Sequence, residues 1–302
     1  MRADIEMKKT NVLSYVTGLF LIVTAILPPI TAQAESPWQW RKALQIDKVG
    51  DSMYMPSAVA FDKEGERYYV VDTGRNRLVS FDRDGNVIRA FTANEQLKSP
   101  FDMARIDNTK LWVVEKGRNS LTFIDVGAKK IETHTLRDGD RLVFPDRIAY
   151  ANGKIYVLDR ASGKILRLAD DLSIEQRFGC QDCTAGMFDF VIDGNSVLAI
   201  DPLDKKIYRF NADGTIAEEI PLGSEAEFPV SLAVGPSGFI FVLDRHRNSV
   251  LVYSGHGQFN YSFVGPGQAE GEVYFPRQLR FDPWGNLCVV DEGNGRVEIF
   301  SQ

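Results

Sequence analysis

Histidine and cysteine are scarce in this chain of 302 residues, with three of each. A zinc centre of three imidazoles would consume every histidine, and a disulfide-stapled miniprotein needs more cysteine. Positive charge is in deficit as well. Thirty-five Lys and Arg stand against 41 Asp and Glu, a net charge of −6. A nucleic-acid partner or an anionic membrane would need a basic face, so neither is expected. No transmembrane segment follows residue 34, and the composition is not that of a collagen, a coiled coil or a disordered tail. What the chain has in quantity is aromatic side chains, 19 Phe and 10 Tyr, which favour strands.

The amino terminus has the layout of an export signal. Arg2, Lys8 and Lys9 precede an apolar run over residues 12–27, Pro28 and Pro29 break it, and Ala32-Gln33-Ala34 offers a small-x-small cleavage site. Cleavage after Ala34 is expected, with an uncleaved anchor as the rival because the run lies near the lower limit for spanning. No Cys follows the run to carry a bacterial lipid anchor. Loss of residues 1–34 removes three basic and two acidic side chains and leaves a net charge of −7. Residues 35–302 are then expected to be periplasmic or secreted, without stable membrane insertion.

The remainder repeats itself. Tyr69-Val70-Val71-Asp72 followed by Leu78-Val79-Ser80-Phe81 recurs as Trp112-Val113-Val114-Glu115, Tyr156-Val157-Leu158-Asp159, Leu198-Ala199-Ile200-Asp201, Phe241-Val242-Leu243-Asp244 and Cys288-Val289-Val290-Asp291, each with a second apolar run behind it. The acidic residues are spaced by 43, 44, 42, 43 and 47. Pro56, Pro100, Pro145, Pro229 and Pro276 keep step ahead of an earlier strand, with Met187 in the fourth unit. Gly- or Asn-bearing turns such as Asp84-Gly85 separate the strands.

A unit of about 43 residues with four short strands is the size of a propeller blade. Its sheet has two apolar faces and must pack between neighbours around a common axis. The predicted fold is therefore all-β: a six-bladed β-propeller of four-stranded antiparallel blades in a single domain. The chain ends after the third strand of the sixth unit, which would leave an open edge. An amino-terminal strand at Ala43-Leu44-Gln45-Ile46 is the expected fourth member.

With the units aligned, the sequence resembles the NHL-repeat proteins over roughly residues 38–301. The motifs that carry the likeness are Asp72-Thr73-Gly74-Arg75-Asn76-Arg77-Leu78, Glu115-Lys116-Gly117-Arg118-Asn119 and Asp244-Arg245-His246-Arg247-Asn248. Units three and four lack the Asn, and unit six has it displaced to Asn294. The resemblance implies the propeller. For function it implies binding platforms, sensors and, in some branches, lyases or lactonases.

Candidate chemistry gathers on the face where first strands begin and second strands end. The recurring acidic residue is read as architectural, because a carboxylate there can accept amide hydrogen bonds across the following turn. His246 falls on this face, His256 on the opposite one and His134 in an outer strand, so no three-His zinc site is expected. A calcium-dependent lactonase would need Asp, Glu and Asn ligands at the mouth. Asp102 and Asp189 could serve, but no matching set accompanies them. Cys180 and Cys183 are expected to form a local disulfide, with free thiols or a redox dithiol as alternatives, and Cys288 to lie in the core.

Arg75, Arg118, Arg147, Arg160, Arg245, His246, Arg277 and Gln278, with Asp102 and Asp189, make up a candidate binding rim whose charge is locally positive. The sequence thus predicts an exported, non-enzymatic binding platform, without cofactor or metal. Its top-face loops would meet an envelope or extracellular protein, or a small anionic ligand. The alternative is a metal-assisted lyase or lactonase working at the channel mouth.

Overall fold

The computed structural model describes residues 36–46, 48, 50–181, 183–184 and 186–302. Among these residues the chain forms six four-stranded antiparallel sheets, with one small hairpin between the second and third. Blade one consists of Pro56–Asp62, Arg67–Asp72, Arg77–Asp82 and Val87–Phe91. The first strands of the later blades are Pro100–Arg105, Pro145–Ala151, Asp189–Asp193, Pro229–Val234 and Pro276–Phe281. These first strands neighbour one another around the axis and wall the channel.

Alternation along each second strand explains why the strands look continuously apolar. Val70 packs into the wedge shared with blade six, and its neighbour Val71 into the wedge shared with blade two. The same switch separates Val113 from Val114, Val157 from Leu158 and Val289 from Val290. Side chains of a strand alternate between faces, and here both faces are buried. Six apolar clusters result, one in each wedge, rather than a single central core. Cys288 lies in the wedge between blades six and one.

The turns obey the same economy. Gly85 takes φ +95°, a backbone open to glycine at little cost. Asn76 and Asn248 adopt left-handed backbone at +52° and +51°, which Asn tolerates. Each then spends its side-chain oxygen on the next blade. Asn76 Oδ1 accepts from the Ser99 amide at 2.6 Å, and Asn248 Oδ1 from the Phe275 amide at 2.8 Å. Both amides belong to the residue just before a blade-opening proline, so the motif Asn stitches one blade's loop to its neighbour's first strand.

Blade six contributes Pro276–Phe281, Leu287–Asp291 and Arg296–Ser301, and its outer strand is Gln39–Leu44. This strand pairs antiparallel with the last one, from Gln39 opposite Ser301 to Leu44 opposite Val297. It starts four residues before the segment expected from sequence. Trp38 and Trp40 account for the offset: Trp38 packs on Phe241 and Phe263, at centroid distances of 5.4 and 6.0 Å. Trp40 Nε1 donates to Glu298 Oε2 at 2.5 Å.

Glu298 is fully buried in that seam, beside Arg296. Burial pushes its carboxyl up to about 7, against the pull of Trp40 and Arg296. The folded state therefore holds a proton that the unfolded chain has already released between pH 4.5 and 7. Its contribution to stability is full below pH 4.5 and is lost as pH rises through 7. Thermal melts from pH 5 to 8 should show the melting temperature falling less steeply in Glu298→Gln than in the wild type. Parallel slopes would contradict this role for Glu298.

Candidate functional site at the channel mouth

The first strands are edge strands, so some of their amides face the channel without a partner in the sheet. The residue two after the blade-opening position supplies acceptors. Gln278 Oε1 takes the amide of Val59 at 2.9 Å, Asp102 Oδ2 takes that of Ile148 at 3.1 Å, and Ser231 Oγ takes that of Leu279 at 3.0 Å. In each case the donor lies in the following blade. Ala58 and Arg147 occupy the same position in blades one and three and have no acceptor to offer. The blades that follow them use their own carboxylates. Asp102 Oδ1 accepts from Met103, and Asp189 Oδ1 accepts from Phe190, each at 2.9 Å.

The circle closes through Ser57, whose hydroxyl donates to the Phe101 carbonyl at 2.6 Å, and through Arg147, 4.0 Å from Asp189. Asp189 is also bonded by the Ser231 hydroxyl and held from below by Arg280 at 2.7 and 2.8 Å. Burial alone would raise the Asp189 carboxyl, but Arg280 and Arg147 hold it below its ordinary range. Burial wins at Asp102, whose carboxyl is raised against Arg147 and Arg280. Asp102, Asp189 and Gln278 are thus parts of the ring's internal fastening.

Above this belt, the first residue after the recurring acid reaches the next blade at Lys116 and Arg245. At Lys116 this brings the ammonium within 2.5 Å of Asp146 and 3.3 Å from the centre of the Phe101 ring. Arg160 lies 3.5 Å from Asp146, and Arg245 lies 2.6 Å from Glu292. Arg277 comes from the blade-opening segment itself, 3.8 Å from Glu292. The guanidinium groups of Arg147 and Arg277 sit 5.1 and 4.8 Å from the same Phe101 ring. Three cations therefore surround one buried aromatic ring, each attracted by its π face.

Lys116, Arg160, Arg245 and Arg277 share Asp146 and Glu292, with Arg147 on Asp189 beside them, a local excess of positive charge in an acidic protein. The crowding shows in their proton affinities. Burial, with Arg277 and Arg147 adding to it, pushes the Lys116 ammonium down to about 8 despite Asp146. Burial and Arg147 bring Arg277 down to about 10. Asp146 is held below its ordinary range, since Arg147, Lys116 and Arg160 outweigh its burial. The Nε atoms of both Arg147 and Arg277 are buried without a hydrogen-bond partner. Each instead faces a carboxylate at ion-pair distance, Arg147 Nε at 4.0 Å from Asp189 and Arg277 Nε at 3.8 Å from Glu292.

The remaining rim residues part company with this cluster. Arg75 and Arg118 lie three residues after the acid and turn back to their own blade, donating to the carbonyls of Ser52 and Gln96. Arg118 also pairs with Glu115 at 3.1 Å. His246 stacks on Phe228 at 4.8 Å, His256 pairs with Glu218, and His134 packs on Trp112. The histidines do not converge. Lys116 and Glu292 were missed from sequence. Their shared position, directly after the acid, was the available signal, and only Arg160 and Arg245 had been picked out from it.

The mouth does not fit a divalent cation. Asp146 and Glu292 are taken by Lys116, Arg160, Arg245 and Arg277, Asp189 by Arg280, and Asp102 by backbone amides. Among the described residues Cys183, Asp201 and Asp204 form the one grouping of possible ligand atoms. Cys183 is paired with Cys180 in a disulfide, Cα atoms 5.6 Å apart, and Asp204 is bonded by Thr184.

No protein-family model matches the chain, and no curated protein matches it. Solved structures do. A streptogramin B lyase aligns with a TM-score of 0.64 at 14% identity, over 87% of this chain and 97% of that one. A catalytically inactive His-to-Ala variant of virginiamycin B lyase from Staphylococcus aureus, solved with quinupristin, gives 0.63 at 13% identity, over 85% and 83%. A gluconolactonase from Xanthomonas campestris gives 0.65 at 16%, over 87% and 98%. At this identity the likeness establishes the six-bladed fold. Because these neighbours are enzymes, the expectation of a non-enzymatic binding platform does not stand.

Asp102→Ala would strip acceptors from the buried amides of Met103 and Ile148, at a cost of about 2–5 kcal/mol. Arg75→Ala, on the exposed rim, should change stability by less than about 1 kcal/mol. Urea denaturation of both variants checks the contrast, and equal losses would contradict the fastening role of Asp102.

Proposed function

We propose that this protein is an enzyme that opens a lactone or ester bond at the channel mouth. The observation that carries the proposal is the convergence of Lys116, Arg147 and Arg277 on Phe101. A proton acceptor near neutrality stands there beside two guanidinium groups. In this reading the neutral Lys116 amine takes a proton from water as the water oxygen bonds to the carbonyl carbon. The guanidinium donors of Arg147 and Arg277 receive the developing oxyanion. The carbon–oxygen bond to the leaving alkoxide then breaks, and Lys116 returns the proton to it. Asp146 is a positioning residue that holds the lysine over the ring.

Two further readings belong to this proposal. The repeat is of NHL type, supported by the bridging role of Asn76 and Asn248. The enzyme acts outside the cytoplasm, supported by the signal layout of residues 1–34, which lie outside the described residues, and by the Cys180–Cys183 disulfide.

A screen with gluconolactone, an aryl-substituted butyrolactone and p-nitrophenyl esters should reveal turnover. Its rate should rise with pH and level off above about 8, where Lys116 becomes neutral. Lys116→Met and Lys116→Arg should both lose at least about 100-fold, since neither can act as the base. A flat profile from pH 6 to 10, or full activity in Lys116→Arg, would overturn the assignment.

A further inference from the structure

Next to the cationic mouth lies a cavity of about 400 Å³, lined by Tyr54, Met55 and Phe275 together with Arg245 and Glu292. Tyr54, Met55 and Phe275 are 59, 43 and 42% exposed, an unusual concentration of large apolar side chains beside a charged site. Met55 and Phe275 hold left-handed backbone, φ +55° and +50°, which bulky residues rarely adopt. The Phe275 amide is pinned there by Asn248, and its carbonyl by Arg245 at 3.1 Å. Glu292 lines the cavity and also lies 3.8 Å from Arg277, so the cavity and the cation cluster share a wall residue.

Resting on the catalytic reading of the same mouth, we propose that the substrate class is the lactone or ester of an amphipathic carboxylic acid. The acid group that hydrolysis releases gives its proton to Lys116, and the resulting carboxylate is held by Arg277, Arg147 and the Lys116 ammonium over Phe101, while the apolar or aromatic body fills the cavity at Tyr54 and Phe275. Charge complementarity selects the head: the excess of cations gathered around Phe101 suits a planar two-oxygen anion. The cavity selects the body, because its apolar lining leaves Arg245 as the one cation beside it. A neutral polyol would leave the aromatic side chains in water.

Calorimetric titration of the intact protein with 4-phenylbutyrate, butyrate and 4-phenylbutyramide tests head and body separately. The phenyl carboxylate should bind at least tenfold more tightly than either the ringless acid or the neutral amide. Arg277→Gln should reduce it to the level of the amide, and Tyr54→Ala to the level of butyrate. Arg277 donates no side-chain hydrogen bond, so the variant is expected to fold, and a thermal melt checks this. Should it fail to fold, a salt titration of the wild type serves instead, with rising salt weakening the carboxylate and sparing the amide. Equal binding of carboxylate and amide, or undiminished binding in folded Arg277→Gln, would overturn the inference. Selective carboxylate binding without turnover of any ester would support it and defeat the catalytic reading. Turnover of neutral lactones without carboxylate preference would do the reverse.

Discussion

The structure depends on satisfying the amides that an inner edge strand turns toward the channel. A propeller blade closes its outer faces against its neighbours, but the first strand of each sheet has no partner on its inner side. In this protein the deficit is met by side chains that reach from one blade to the next, through Gln278, Asp102 and Ser231, with Ser57, Arg147 and Asp189 completing the circle. Wedge packing holds each blade to its neighbours, while this belt sets their angular positions. Without the belt the loops above would have no common frame.

That belt also makes the mouth's charge possible. Arg147 occurs at a belt position where an acceptor would be the simpler choice, and Asp189 with Arg280 absorbs the consequence. The guanidinium is thereby fixed by the carbonyls of Ser57 and Arg277, at 3.2 and 3.3 Å, with its Nε turned to Asp189 at 4.0 Å. Lys116 is added from a loop and Arg277 from the first strand of blade six, two cations that repel one another. Phe101 beneath them, with Asp146 and Glu292 at the sides, offsets part of that repulsion. A site assembled against its own electrostatics is preorganised for an anion, since an arriving negative charge relieves strain already present.

Most of the fold was legible in the sequence, because a period of about 43 residues and alternating burial are one-dimensional signals. The acidic residues from Asp72 to Asp291 marked the register correctly. The strand Gln39–Leu44 was misplaced because its position depends on Trp38 and Trp40 meeting side chains some 200 and more residues away. The site was only half legible. Arg147, Arg160, Arg245 and Arg277 were found as a charged rim, yet Arg75 and Arg118 were grouped with them. A one-residue-after versus three-residues-after offset decides whether a loop side chain crosses to the next blade or folds back, and that offset has no compositional signature. Lys116 was overlooked because its altered proton affinity comes from burial, with Arg277 and Arg147 adding to it, and these surroundings are distant in sequence.

The central claim, that the mouth is a desolvated and cation-crowded site, is tested most directly by the titration of Lys116 itself. In protein labelled with ¹³C at the lysine ε carbon, one resonance should titrate at about 8 and disappear in Lys116→Met. Observation of every lysine at its ordinary value of about 10.4 would contradict the account.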